Sequence, residues 1–268
     1  MDLNLLRKFG GPVRSPGWKN SVWIQLVTAL VALLGWEALS KWSGLQSFIL
    51  PSPLLVWESF LQAALDGSLL RNTLVTLTEV LLGLLAGTVF ATLGGYVIAK
   101  SRLFERLVSP FLVASQAVPI VAIAPLLVIW FGPGMFSKVL ICSLIVFFPV
   151  LVNTVVGLRA VPLSLYELMH SLRASRWQML RYLEIPAALP IFLGGLRIGA
   201  TLSVIGGVVG ELIGANSGLG FLINVARGQY DTPLVFVAVF MLIALALSLY
   251  GIVVLLERKF LGWQETKS

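Results

Sequence analysis

The chain has one histidine, His170, and one cysteine, Cys142, among 268 residues, and only 12% of its residues are charged. A metal site of the usual kind needs three or four His or Cys ligands, so no such cluster can form within one chain. A lone cysteine takes disulfides out of the argument, and inside an apolar run it reads as a small packing residue. The G-x-x-x-x-G-K-[ST] loop that cradles phosphates is missing. His170 has no serine and aspartate arranged around it as a nucleophilic set. The sequence therefore implies no cofactor and no enzyme chemistry in this chain.

What the chain does have is hydrophobic length. Apolar residues make up 58% of it, against about 45–50% in soluble domains. They gather into six runs of about 20 residues or more, the length that crosses a bilayer as a helix. The runs extend from Val22 to Lys41, Asn72 to Ala99, Leu107 to Phe131, Phe136 to Leu158, Pro190 to Ala215 and Pro233 to Leu256. Backbone amides in lipid must be satisfied internally, so the spans are expected to be helices. The ten-residue alternation of a membrane β-barrel is not seen. The fold class is an all-α membrane protein with six transmembrane helices. The first run follows a basic start, but bulky Trp36 and Glu37 stand where a cleaved leader has small residues, so a retained anchor is favoured.

Acidic residues number 12 against 19 basic, a net charge of +7. Position decides what that means. Arg7, Lys8, Arg14 and Lys19 precede the first span. Lys100, Arg102 and Arg106 follow the second. Arg159, Arg173, Arg176 and Arg181 lie between the fourth and fifth, and Arg258, Lys259 and Lys267 follow the sixth. Arg197 sits just inside the fifth, and the alternate loops keep only Lys41, Arg71, Lys138 and Arg227. The positive-inside rule puts the rich set, with both termini, in the cytoplasm. The charge reads as topology and not as a nucleic-acid surface.

Several local signals stand out. Ser52-Pro53 caps and opens a helix with Trp57, Phe60, Leu61, Ala64 and Leu65 on one stripe, read as an external amphipathic helix or a lead-in turn. Gly214 to Pro233 reads as a shallow external helix or re-entrant element, or else as an association site, with Thr232-Pro233 starting the last span. Gly206, Gly210 and Gly214, and separately Gly83 and Gly87, have GxxxG spacing, which lets helices approach closely. Pro119, Pro125 and Pro149 are expected to kink the third and fourth spans. Carboxylates inside a span cost roughly 2.5–3.5 kcal/mol and face an interior or cavity. Glu79 and Glu211 are such residues. Glu211 is a candidate for the pathway or gate, with a helix cap or a pair with Arg227 as the structural alternative. Gln116, Asn153 and Ser203 are further pathway candidates, with interhelical hydrogen bonding as the plainer role.

Between the fourth and fifth spans lies ELMHSLRASRWQMLRYLEIPAALP, Glu167 to Pro190. Ser164–Glu167 and Ser175–Gln178 both fit capping boxes, implying two short helices. Leu165, Leu168, Met169 and Leu172 fall at i, i+3, i+4 and i+7, an apolar stripe. Arg173 and Ala174 mark the turn, and Ile185-Pro186 is expected to end the second helix. Such a helix-turn-helix can lie on anionic lipid or dock into a partner's groove.

This segment resembles the cytoplasmic EAA loop of permease subunits in ATP-binding-cassette importers. Glu167, Ala174, Ser175, Pro186 and Pro190 match that pattern. Leu168 and Met169 replace its two alanines, and Arg173 holds its glycine position, where a left-handed turn is costly for arginine. LPSPLLVW, QAVPIVAIAPLLVIWFG, GGVVGELIGANSGLGFLI and LLERKFLGW are similar to permeases of the nitrate/sulfonate/taurine family. The resemblance implies the type I importer permease fold, with a core at 72–256, a coupling loop at 159–190, and tails at 1–21 and 257–268. It implies ATPase coupling through Glu167, His170, Ser171, Leu172, Arg173, Ala174, Ser175, Arg176 and Trp177. The implied partners are a second copy of the chain, two cytoplasmic ATPases carrying ATP and Mg, an external substrate-binding protein and membrane lipid. The implied location is the bacterial cytoplasmic (inner) membrane. QAVPIVAIAPLLVIWFG and NTVVGLRAVP are similar to branches linked to hydroxymethylpyrimidine or riboflavin uptake, beside sulfonate, taurine and nitrate. A self-contained secondary transporter, proton-coupled through Glu79 or Glu211, is the rival reading; an intramembrane enzyme and a membrane scaffold are weaker ones.

Overall fold

A computed structural model of the chain describes residues 18–42, 44, 46, 48–116 and 119–262. Its elements among those residues are helical. α1 (Trp18–Trp42) is followed by α2 (Pro53–Leu65), α3 (Ser68–Lys100), α4 (Arg102–Gln116), α5 (Ile120–Phe131) and α6 (Met135–Arg159). Then come α7 (Leu163–Ser171), α8 (Arg176–Met179), a π-helical turn (Leu180–Glu184), α9 (Ile185–Gly214), α10 (Leu219–Gly228) and α11 (Thr232–Leu261). Of the segments read as tails, 1–21 and 257–268, residues 1–17 and 263–268 lie outside the described residues.

Among the described residues five helices, not six, are long and apolar enough to cross a membrane. The expected third span is divided. α4 is described as far as Gln116, and α5 starts at Ile120 behind Pro119, whose extended backbone (φ −69°, ψ 110°) forms the N-cap. Proline lacks the N–H that would continue the helix, and it disfavours helix in the residue before it. The two pieces, 15 and 12 residues long, reach about 22 and 18 Å at 1.5 Å per residue. Pro149, by contrast, lies within an uninterrupted α6.

The fifth span departs in the other direction. Ile185-Pro186 does not end a helix: the chain is helical from Arg176 to Gly214, 39 residues. The π turn makes this work. The Ile185 N–H bonds to the Leu180 carbonyl, five residues back, and that wider turn accommodates the missing donor of Pro186. α11 likewise runs on to Leu261, past Leu256 where the apolar run ends.

α6 lies between α3 and α9, and glycines set the spacing. A Cβ on Gly87 would stand 2.6 Å from the Ser143 carbonyl oxygen, and one on Gly206 would stand 2.8 Å from the Cys142 Cα. Gly83 on α3 also abuts Cys142, so the fully buried cysteine is a small side chain wedged between two helix backbones. The GxxxG glycines of the fifth span therefore pack within the chain.

α1 is peripheral, its membrane-length window having no buried residue. It is fastened by Trp36, which stacks on Phe236 at 5.5 Å and donates from Nε1 to the Pro51 carbonyl at 3.0 Å. α2 is capped by Ser52, whose Oγ accepts the Leu55 N–H. The expected stripe on α2 is split. Val56 and Ala63, with Phe60, pack on Leu219, Leu222 and Val237, while Trp57, Leu61 and Leu65 stay exposed. Asp66 and Gly67 (φ 75°) turn the chain into α3, and the Ser68 N–H and hydroxyl hold the Asp66 carboxyl below the usual range. At the start of α11 the cap is Asp231, which accepts the Leu234 N–H, and not Thr232. The Thr232 hydroxyl instead donates to the Phe48 carbonyl.

Candidate functional site

α7 and α8 form a knob at one end of the bundle. Pro162 is the N-cap of α7, so the Ser164–Glu167 capping box does not form. Proline supplies extended backbone before the first turn and leaves Ser164 inside the helix. The far end closes in a Schellman motif. The Ala174 N–H bonds to the Met169 carbonyl at 3.0 Å, and the Arg173 N–H to the His170 carbonyl at 2.9 Å. Arg173 takes the left-handed conformation (φ 53°) that such a turn requires, despite its cost for arginine. The second capping box forms in full: the Gln178 N–H donates to Ser175 Oγ at 3.3 Å, and the Ser175 N–H to Gln178 Oε1 at 2.7 Å.

The knob has an inner and an outer side. Val161, Met179 and Leu183 are buried, with Tyr166, Met169 and Ala187 packed on them. Leu165, Leu168, Leu172 and Trp177 remain exposed, Leu172 at 69% and Trp177 at 64%. Of the predicted coupling residues, Glu167, His170, Ser171, Leu172, Arg173, Ser175, Arg176 and Trp177 are exposed, and Ala174 is half-buried. They form one surface, apolar at its centre with charge around it. Behind it, Lys100 at the end of α3 pairs with buried Glu184, and Arg159 at the end of α6 pairs with Glu105 of α4.

The pathway candidates are not brought together. The Gln116 side chain lies outside the described residues. Asn153 is half-buried on α6 against Gly195 and donates to the Pro149 carbonyl at 2.8 Å. Ser203 is buried on α9 and donates to the Ala200 carbonyl. Glu211 is fully buried at the opposite end from the knob, where it accepts the Thr76 hydroxyl and the Gly220 N–H, each at 2.6 Å.

Glu211 belongs to a network that the sequence reading only half anticipated. Asn72 Oδ1 accepts the Gly218 N–H at 2.7 Å, and Thr76 Oγ1 accepts the Leu219 N–H at 2.8 Å. Thus α3 side chains and Glu211 satisfy the first donors of α10. Glu79 pairs with Lys138 of α6 at 3.1 Å, both side chains 5% exposed or less. The available signal was spacing: Asn72, Thr76 and Glu79 fall at i, i+4 and i+7, a polar stripe in an apolar span. An outward cleft of about 500 Å³ lies beside the pair, lined by Thr78, Met135 and Ser217 among others. Among the described residues, no group of three His, Cys, Asp or Glu could hold a metal ion.

Helices of membrane length around a glycine-spaced core, with a solvent-facing helical knob, define a multi-pass membrane permease of the type I importer fold. Solved structures agree on the fold. The inward-facing MetNI methionine ABC transporter matches with a TM-score of 0.65 at 18% identity, over 74% of this chain and 98% of that one. A family profile described as "Binding-protein-dependent transport system inner membrane component" matches residues 79–262. The chain belongs to that family: it is a permease subunit of an ATP-binding-cassette importer, whose ATPase is a separate subunit. Relatives include the riboflavin transport system permease protein RibX of Chloroflexus aurantiacus, 47% identical over 238 residues and 89% of each chain. The formylaminopyrimidine transport permease protein ThiX of Halalkalibacterium halodurans is 37% identical, over 88% of this chain and 94% of that one. The taurine transport system permease protein TauC of Escherichia coli is 33% identical, over 86% of each. The proton-coupled alternative falls with this assignment.

Proposed function

We propose that two copies of this chain form one pathway in the bacterial inner membrane. Two ATPase subunits seat on the α7–α8 knobs at the cytoplasmic face, and a binding protein delivers cargo at the α2–α10 end. Both termini then lie in the cytoplasm, with 72–256 as the working core and α1 as a peripheral anchor. The cargo proposed is a heteroaromatic vitamin or vitamin precursor of the riboflavin or formylaminopyrimidine type, supported by the similarity to RibX and ThiX. Among the described pathway candidates, half-buried Asn153 is the one retained.

The observation that carries the docking reading is the uncovered face of Leu165, Leu168, Leu172 and Trp177. Apolar side chains on a solvent-exposed helix pair cost free energy until a groove covers them. ATP-driven closure of the ATPase pair moves the knobs, and the spans exchange outward- and inward-facing states. Nucleotide shifts that equilibrium by its differential affinity for the two states.

The test is the co-expressed importer in proteoliposomes. ATP-dependent uptake of riboflavin or formylaminopyrimidine in preference to taurine is expected. Ala174→Arg is expected to release the ATPase on co-purification while the permease still elutes as a folded oligomer. Full retention of the ATPase by that variant would overturn the docking role. Preferential taurine uptake would overturn the cargo.

A further inference from the structure

The rod from α8 to α9 has one weak place. Within Leu180–Glu184 the helix is π-wound, a geometry used in single turns, frequent at functional sites and one of the few places where helices kink. A knob that moves on the end of a rod with a soft joint bends the joint before it moves the rod.

The joint is braced from outside. Glu184, the last residue of the π turn, has a side chain only 1% exposed, and its Oε1 accepts Lys100 Nζ from the end of α3. Lys100 Nζ also lies 5.6 Å from the ring centroids of Tyr96 on α3 and Tyr166 on α7, within cation–π reach. Tyr166 faces the same carboxylate. Its hydroxyl is pushed up to about 12, first by burial and then by Glu184. Among the described residues, Glu184 Oε2 has no hydrogen-bond partner of its own. One ammonium thus ties the end of α3, the knob and the π turn, and a buried carboxylate cannot leave its cation cheaply.

We propose that Lys100, Glu184 and Tyr166 are positioning residues that stiffen the π turn, so that knob and transmembrane helices move as one lever. The proposal rests on the ATPase-docking reading and goes beyond it, because these side chains lie behind the knob and not on its exposed face. Breaking the brace leaves the ATPase bound but lets the joint absorb its motion.

The experiment uses the assembled importer in lipid nanodiscs, with a thiol reporter, Asn216→Cys, on the exposed loop at the far end. Cys142 is fully buried, so maleimide labelling of this chain reports the new thiol. The labelling rate is compared between nucleotide-free and ATP-trapped states, with ATPase co-purification scored on the same samples. The parent is expected to show a clear nucleotide response. Lys100→Met and Tyr166→Leu are each expected to shrink it roughly fivefold or more, the scale of an ordinary coupling between sites, with the ATPase retained. Tyr166→Phe, which keeps the ring, and the reversed pair Lys100→Glu/Glu184→Lys are expected to recover most of it. If Lys100→Met does not fold, Tyr166→Leu decides, since it leaves the buried pair intact. An unchanged response in Tyr166→Leu overturns the brace, as does loss of the ATPase from that variant. A parent without any response overturns the brace together with the docking reading, whereas Ala174→Arg tests docking alone.

Discussion

Glu211 and Gly220 stand nine residues apart in the chain and meet at 2.6 Å, backbone N–H to carboxylate. A Cβ on Gly220 would lie 2.8 Å from the Glu211 Cβ, so the contact needs both the acid and the glycine. It closes the reversal between α9 and α10 and lets a buried carboxyl group stand in for the missing turn of helix before Leu219.

Glu211→Ala is therefore expected to destabilise the detergent-solubilised protein by about 2–4 kcal/mol. It would leave the Gly220 N–H without its acceptor, at about 1–3 kcal/mol when buried, and open a cavity beside Thr76, whose hydroxyl keeps only the longer bond to the Asn72 carbonyl at 3.2 Å. Glu211→Gln, which keeps an acceptor, is expected to cost less than half as much. Thermal unfolding followed by tryptophan fluorescence would show it, and an alanine variant as stable as the parent would refute the pinning role.

Gly220→Val tests the same place from the other side. The branched side chain meets the Glu211 side chain and the Val208 carbonyl oxygen, the latter 3.0 Å from the Cβ position. Overpacking of this kind typically costs about 1–3 kcal/mol. Faster amide hydrogen exchange in α10 than in α6 is the expected signature.

The Glu79–Lys138 pair should behave as a buried pair does. Lys138→Met alone leaves an unpaired carboxylate and is expected to cost about 3–5 kcal/mol, whereas Glu79→Gln/Lys138→Met together cost much less. A double-mutant cycle on melting temperature measures this, and simple additivity would refute it.

Arg173→Gly is expected to stabilise the knob by about 1 kcal/mol, because a left-handed conformation strains arginine and suits glycine. Because Arg173 is exposed on the proposed docking surface, stability and ATPase affinity need separate measurement.

What was legible in the sequence was local. Ser175 and Gln178, three residues apart, spell a capping box that forms as written. Arg173 in a glycine position located the turn, but an arginine there does not by itself declare a positive φ. Ser164 and Glu167 spell the same box, but Pro162 already supplied the helix start. Pro119 and Pro186 look alike on paper. One divides a span and the other is absorbed by a π turn, because Pro186 sits where Glu184 is anchored to another helix. Glu211 was recognised as a carboxylate that must face something, yet its partner Thr76 lies 135 residues away. Contacts of that range follow from helix packing, which no local pattern encodes.

The glycine contacts of α6 carry a mechanical consequence. Where backbone touches backbone there is no layer of long side chains to act as a bearing, so α3, α6 and α9 cannot slide past one another. Each copy of the chain behaves at its centre like a single solid casting. In the two-copy assembly proposed above, the gap that opens and shuts for a solute lies between castings.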